Sequence, residues 1–450
     1  MYINKVLGLN SQNFMFLVIF RNEFQQSYIL TEFLESIPKT FIIFAVLKNC
    51  DMGKIYRKEY MDLLLAMMDK SIIKVVTGIR RCGKSTLLTM FQDHLIESGV
   101  DQKQIVSINF EDMAFVGLKN KFSLYKFLTE KLQPQKMTYI FLDEVQLVDE
   151  FQAVVDSLYI KQNVDLYITG SNAKMLSGEL ATMLTGRYIE IKMLPLSFKE
   201  YIAGSQHSTS ISEKYKEYLS LSSFPYTIEI ADNKQVVNDY LQSLYNTIIL
   251  KDIVSRNNIS NVIVLEDIIR FVFDNIGNTI SSKKISNTLN SDGRKSDVKT
   301  VEKYLKALTD CYLLYRADRY DVKGKQYLKS LSKYYIADIG LRRVLLGNKA
   351  TDVGHILENI VFLELYRRGY KVYIGKVGNS EVDFVAENMN GIEYFQVAAT
   401  IRAPETKERE LFPFASIKDN YPKTILTLDE DPDFNLNGIR IRNALSWLLE

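Results

Sequence analysis

Val75-Val76-Thr77-Gly78-Ile79-Arg80-Arg81-Cys82-Gly83-Lys84-Ser85-Thr86 joins a β-branched run to a glycine-flanked loop, and the apolar helix pattern Leu87-Leu88-Thr89-Met90-Phe91 follows. A strand, a GxxxxGK[ST] loop and a helix in that order form the context of a phosphate-binding loop. Gly78 and Gly83 permit backbone angles that gather the loop N–H groups around an anion at the positive end of a helix. The segment from Gly78 through Ile79, Arg80, Arg81, Cys82 and Gly83 to Thr86 is therefore predicted to cradle a nucleoside triphosphate. Lys84 supplies a point charge for the β- and γ-phosphates, and the Ser85 hydroxyl supplies a hard oxygen for Mg²⁺.

The neighbouring segments extend this site. Ahead of the loop, Tyr60, Leu63, Leu64 and Met67 recur at helical spacing. Gln104 to Phe110 reads as a second strand, and Phe122 to Leu132 as a helix ended by Pro134. The apolar strand Met137-Thr138-Tyr139-Ile140-Phe141-Leu142 closes on Asp143 and Glu144. In this context Asp143 orients Mg²⁺ through its water shell, and Glu144 is the base that polarises the attacking water. A further strand, Leu166 to Gly170, ends in Ser171-Asn172, which serve either as phosphate sensors or as caps of the next helix. Arg187 enters a fifth strand, either as a charge-stabilising finger, in cis or from a neighbouring subunit, or as a solvent-facing edge residue. Repeated strand–helix–strand units predict a doubly wound α/β sheet with its site at the carboxyl ends of the strands.

Composition narrows the class. A chain of 450 residues exceeds a single core, so roughly two to four domains are expected. A net charge of +2 excludes an overall polybasic nucleic-acid binder and leaves room only for a local basic patch. Cys50, Cys82 and Cys311 are too widely spaced for a disulfide framework or a zinc site, and His94, His207 and His355 make no histidine metal site. A reduced, cytoplasmic compartment fits this usage. Phe14 to Phe20 and Phe41 to Leu47 fall short of the ~20 apolar residues of a membrane span, and no membrane association is expected. Residues 1–51 differ from the rest and read as a poorly ordered extension or, with Met52 as an alternative start, as an upstream translation artefact.

Residues 52–198 form the predicted nucleotide-binding core and 199–258 a helical lid, in which Lys251 or Arg256 either reaches the nucleotide or stays a solvated helix charge. Residues 259–345 give three helices and a hairpin, the pattern of a winged helix-turn-helix. Lys295, Lys299 and Lys303 would meet DNA phosphates, or the unit serves as a rigid connector, since Asp297 and Glu302 dilute its charge. Residues 346–450 predict a C-terminal α/β unit, with Glu358 on a helix and Asp383 on a strand. A restriction-endonuclease-like site would add (D/E)-x-K on the next strand, where this chain has Gln396-Val397-Ala398. Without that lysine, and with an amide for one acid, metal-assisted cleavage loses a ligand and a cation, so a non-catalytic domain is expected.

Taken together the residues resemble the AAA-type ATPases of bacteria and archaea, close to the signal-transduction P-loop ATPases. They are most similar to the branch with a C-terminal domain of unknown function and a nuclease-like core. The P-loop, Phe141 to Glu144, Gly170-Ser171-Asn172, Gly186-Arg187 and Leu194 to Phe198 carry the resemblance. So do Ala337-Asp338-Ile339-Gly340, Glu358-Asn359, Glu381 to Phe384 and Asn420 to Lys423. It implies ATP rather than GTP, and an adenine contact from Pro225, where the family has Gly-x-Pro and this chain has Ser223-Phe224-Pro225. The functional expectation is an Mg²⁺-dependent ATPase acting as a switch or remodeller with a DNA or protein partner, as a monomer or homo-oligomer. The alternatives are a nucleotide-gated scaffold with little turnover and, last, an ATP-regulated nuclease.

Overall fold

The computed structural model describes residues 55–176, 184, 186–205, 209–347 and 352–450, so the expectations for residues 1–51 lie outside the described residues. The first half runs α1 (Lys58–Met67), β1 (Ile73–Thr77), α2 (Lys84–Glu97), β2 (Ile105–Asn109), α3 (Lys121–Lys131), β3 (Thr138–Asp143), α4 (Phe151–Tyr159), β4 (Val164–Gly170) and β5 (Tyr188–Lys192). The five strands are all parallel, in the order β2-β3-β4-β1-β5. β1 and β3 are buried along their whole length, which explains their near-continuous apolar sequences: helices cover both faces of a parallel sheet. Alternate residues divide between two cores. Val76, Phe141, Tyr167 and Ile191 pack with Phe91 of α2, and Val75, Ile140, Leu142 and Ile168 pack with Leu158 of α4.

Two contacts fix the loop after β1. The Met193 N–H donates to Thr77 O at 2.7 Å, and a Cβ on Gly78 (φ +151°) would lie 2.1 Å from Met193 O. Glycine is therefore required where the strand turns into the loop. Arg57, 3% exposed, donates to Cys82 O at 3.1 Å and Leu194 O at 2.9 Å, and pairs with Glu200 at 2.6 Å. That brace was not anticipated from sequence.

The second half begins with helices α5 (Phe198–Gly204), α6 (Ile211–Leu221), α7 (Tyr226–Glu229) and α8 (Lys234–Thr247), and α8 continues into a π-helical segment, Ile248–Ser255. Next come α9 (Val262–Asp274), β6 (Thr279–Ile280), α10 (Ser282–Ser291), α11 (Val298–Asp310), β7 (Leu314–Asp321), β8 (Gln326–Ile336), α12 (Ile339–Leu346) and α13 (Val353–Arg367). The chain closes with β9 (Lys371–Val377), β10 (Ser380–Asn388), β11 (Gly391–Ala398), α14 (Pro404–Ala415), β12 (Lys423–Thr427), β13 (Phe434–Leu436), β14 (Ile439–Asn443) and α15 (Ala444–Leu448). Among the described residues the second sheet has nine strands, β13-β14-β12-β11-β10-β9-β7-β8-β6. The β7–β8 hairpin, read from sequence as the wing of a separate module, pairs parallel to β9 with Arg319 opposite Ile374 and Asp321 opposite Lys376. Its sheet thus crosses the position where the sequence pattern changes, near residue 345. The buried Asn359 amide seals the junction, accepting from Ile336 N–H at 2.8 Å and donating to Ile336 O at 3.0 Å. Residues 55–450 form one compact unit.

At the amino end of the first sheet a charge pair is buried: Lys74 of β1 against Asp165 of β4. Tyr167 OH and Asp69 N–H each donate to Asp165 at 2.9 Å. Burial pulls the ammonium below and pushes the carboxyl above its ordinary range. Asp165→Ala leaves Lys74 uncompensated and is expected to lower stability by about 3–5 kcal/mol, whereas the double change Lys74→Met, Asp165→Leu recovers most of that loss. Chemical denaturation of the three proteins measures the difference.

Candidate nucleotide site

The loop closes with Arg81 at φ 66° and Gly83 at φ 106°. Positive-φ residues just ahead of a helix are the backbone pattern from which anion nests are built. Ile79 and Cys82 are fully buried and anchor the loop, while Arg81, Ser85 and Thr86 face solvent. Lys84, 4% exposed, donates to Gly78 O at 3.0 Å and Ile79 O at 3.2 Å. Its Nζ lies 3.7 Å from Glu144 Oε1. Burial pushes the Asp143 carboxyl up, against hydrogen bonds from Ser85 and Thr169 that pull it down. Ser85 and Asp143, the two expected metal-side residues, are thus brought together.

Glu144 sits in the left-handed region at φ 54°, a strained backbone for a residue with a side chain. Its N–H donates to Thr169 Oγ1 at 2.9 Å, and the same hydroxyl donates to Asp143. Its Oε2 accepts from Ser171 Oγ at 3.0 Å and from the Gln146 amide. Burial raises its pKa, but the Lys84 charge, the Gln146 bond and the more distant Arg80 outweigh burial and hold it below the usual carboxylate range. Ser171 and Asn172 are buried beside it.

A family model of the AAA domain matches residues 70–202, and a model described as a domain of unknown function (DUF8612) matches residues 212–352. An uncharacterised protein of Haemophilus influenzae is 39% identical over 400 residues, covering 88% of this chain and 99% of its own. The chain belongs to that family of AAA-domain proteins. An uncharacterised protein of Methanocaldococcus jannaschii is 30% identical over 389 residues, 83% of this chain and 85% of its own. A Walker-type ATPase of Pyrococcus abyssi, at 15% identity and TM-score 0.47, aligns with 65% of this chain and 96% of its own. The core of this AAA-domain protein is of the P-loop ATPase type.

In this AAA-domain protein the π-helical segment meets the loop through charges that sequence periodicity did not pair. Asp252, 1% exposed, lies on the π-helical segment and accepts from Arg80 Nε at 2.9 Å, while Arg80 also pairs with Glu111 at 2.8 Å. Arg256 bonds Asp252 at 3.1 Å and donates to Ser171 Oγ at 3.2 Å. Arg256, expected either to reach a nucleotide or to stay a solvated helix charge, thus contacts the Ser171–Glu144 network, whereas Lys251 stays exposed. A cleft of about 730 Å³ is lined by Arg80, Arg81, Glu111, Tyr240, Lys251 and Arg256. Pro225 Cγ lies 3.8 Å from the point a Cβ on Gly83 would occupy.

Arg187 requires a correction. Its carbonyl accepts from the N–H of Ile73, the first residue of β1, at 2.9 Å, so it sits at the end of the sheet opposite the loop. Its guanidinium pairs with Asp156 and stands 5.4 Å from the Tyr159 ring. A finger in cis is excluded by this placement.

The C-terminal acids also differ from expectation. The cation absent after β11 is supplied from the hairpin. Lys333 of β8, 4% exposed, lies 3.0 Å from Glu358, 2.8 Å from Glu381 and 3.7 Å from Asp383. Tyr335 OH donates to Glu358 at 2.7 Å. Gln396 accepts from Asp383 N–H at 3.0 Å and donates to Glu410 at 2.9 Å. Among the described residues no group of three or more His, Cys, Asp or Glu is placed to hold a metal ion. The Lys333 ammonium lies among these acids and joins hairpin to sheet. On the helical pair, Lys295, Lys299 and Lys303 are exposed, and Arg294 pairs with Asp267 at 3.2 Å. No helix of the described residues is long and apolar enough to cross a membrane.

Burial and the neighbouring Glu358 charge, against the pull of Lys333, push the Asp383 carboxyl up to about 7. A carboxyl raised in the folded state holds its proton more tightly than in the unfolded chain, so its contribution to stability falls as pH climbs from ~4 to ~7. Asp383→Asn removes that loss. Its melting temperature is expected to rise by several degrees relative to the unchanged protein between pH 5 and pH 8, measured by calorimetry across that range.

Proposed function

We propose that this chain is an Mg²⁺-dependent ATPase working as a conformational switch. The observation that carries the reading is the buried Glu144 carboxylate, shared by the loop lysine, Ser171 and, through Ser171, the lid residue Arg256. A base held by both core and lid is suited to report what lies between them. The residues fit the nucleotide and its metal: the glycine-flanked nest accepts phosphate, and Ser85 and Asp143 present adjoining hard oxygens. Bound Mg²⁺ would neutralise charge on the β- and γ-phosphates.

In this reading Lys84 leaves the Gly78 and Ile79 carbonyls for the phosphates, and Asn172 joins Ser171 as a sensor. Glu144 would then orient the attacking water and take its proton as the water oxygen bonds the γ-phosphorus and the bond from that phosphorus to the β-phosphate oxygen breaks, leaving ADP and phosphate. Loss of the γ-phosphate lets Arg80 return to Asp252 and rejoin loop and lid, so the nucleotide state sets the lid position. Pro225 bounds the nucleoside end. Arg187 acts on phosphate only if a second copy presents it, after release from Asp156. The working units are the core (52–198), the lid (199–258), the helical pair with its hairpin (259–345) and the C-terminal unit (346–450), in a cytoplasmic protein. DNA contact would use Lys295, Lys299 and Lys303, because the hairpin is committed to the sheet with β9.

Steady-state hydrolysis of ATP with Mg²⁺, with and without duplex DNA, tests this. Glu144→Gln is expected to bind ATP and to turn over about 10²–10⁴-fold more slowly, and Lys84→Ala to lose ATP binding. If the unchanged protein binds ATP but turns over no faster than Glu144→Gln, the chain is a nucleotide-gated binding module instead. Faster hydrolysis with DNA would mark the lysine face as a reader.

A further inference from the structure

Asp338 follows the last strand of the hairpin and is 2% exposed. Its Oδ1 accepts from Leu341 N–H at 2.9 Å and caps α12. Its Oδ2 accepts from Ser222 Oγ at 2.9 Å, Ser223 N–H at 2.6 Å and Ser223 Oγ at 2.6 Å. One carboxylate thus joins the entrance of a helix to a loop 115 residues away. Three donors on one oxygen make charge-assisted bonds, the strong class of hydrogen bond.

The loop it holds has little freedom elsewhere. Ser222 has φ 147°, a region side chains seldom occupy. Its hydroxyl accepts from Phe224 N–H at 3.1 Å, and Ser223 O accepts from Leu196 N–H at 2.8 Å. A Cβ on Gly340 would fall 2.6 Å from Ser222 Cβ and 2.9 Å from Leu221 O, so glycine is needed for α12 to approach this closely. The far side of α12 is fixed by the buried Arg342, which donates to Phe273 O at 2.7 Å. Pro225, next along the loop, then stands beside Gly83. In the nucleotide site proposed above, Glu144 and Arg256 take the γ-phosphate end and the nucleoside leaves the loop past Gly83, against Pro225.

We propose that Asp338 is a positioning residue for the nucleoside of the bound triphosphate, setting from the C-terminal half where the Ser222–Pro225 wall stands against the phosphate loop. This rests on the nucleotide site proposed above. A nucleoside triphosphate meets the wall, whereas inorganic triphosphate fills the loop and does not reach it. Asp338 therefore governs the ratio of the two affinities and leaves Lys84, Ser85 and Glu144 untouched.

The test is calorimetric titration of the full chain with Mg²⁺ and either ATP or inorganic triphosphate, together with KM and kcat for ATP. Asp338→Asn is expected to weaken ATP binding about tenfold, raise KM similarly, and leave inorganic triphosphate affinity and kcat within about twofold. Ser223→Ala, which keeps the α12 cap, is expected to shift the same ratio in the same direction by a smaller factor, and serves if Asp338→Asn does not fold. Equal weakening toward both ligands, or no change toward either, in the variant that folds overturns the inference. Failure of the unchanged protein to bind ATP would instead overturn the nucleotide-site reading beneath it.

Discussion

Where β1 ends, the backbone of Gly78 passes under the Met193 carbonyl with no space for a Cβ. The phosphate loop is therefore held from the β5 side of the sheet before any ligand arrives. Arg57 reaches the same carbonyl row from α1 by way of Cys82 and Leu194. With the loop fixed, Lys84 must lie across it and toward Glu144, and the strained Glu144 backbone is stabilised by Thr169 on the adjoining strand. A loop free to breathe could not keep these groups within hydrogen-bond reach, so the site inherits its order from the packing of β1 between β4 and β5.

Local chemistry made much of this legible in the sequence. The glycine spacing with Lys84-Ser85 and the apolar strand ending in Asp143-Glu144 are short-range signals, because ligand and backbone impose them on neighbouring residues. What escaped are partners chosen across the fold. Arg57, Thr169 and Asp252 gain their roles from residues on other elements, and nothing in local periodicity records such a pairing. Arg187 lies at the strand entry read from the sequence, and what the local pattern did not record is how far that entry is from the loop. Parallel pairing decides the matter, since a residue at the start of β5 lies beside the start of β1.

The C-terminal half shows the same limit. Reading along β11 correctly found no lysine, yet the fold brings Lys333 in from β8. A site assembled from separate strands cannot be judged from one strand's sequence. Similarly, the hairpin has the spacing of a free wing, and only its parallel pairing with β9 reveals it as an internal strand pair. Residues 259–345 and 346–450 have different sequence textures and still share one sheet, because texture reports local periodicity and strand pairing does not depend on it.

That shared sheet has a consequence for how the gene could be divided. A fragment ending near residue 345 would leave the backbone of Arg319 to Asp321 as an open edge, able to template pairing with other copies. It would also strand the Lys333 ammonium without Glu358, Glu381 and Asp383, and leave the Ile336 backbone without the Asn359 amide. The reciprocal fragment would lose its neutralising cation and expose β9. Neither half is a portable module, and recombination at this seam would yield insoluble pieces rather than exchangeable parts.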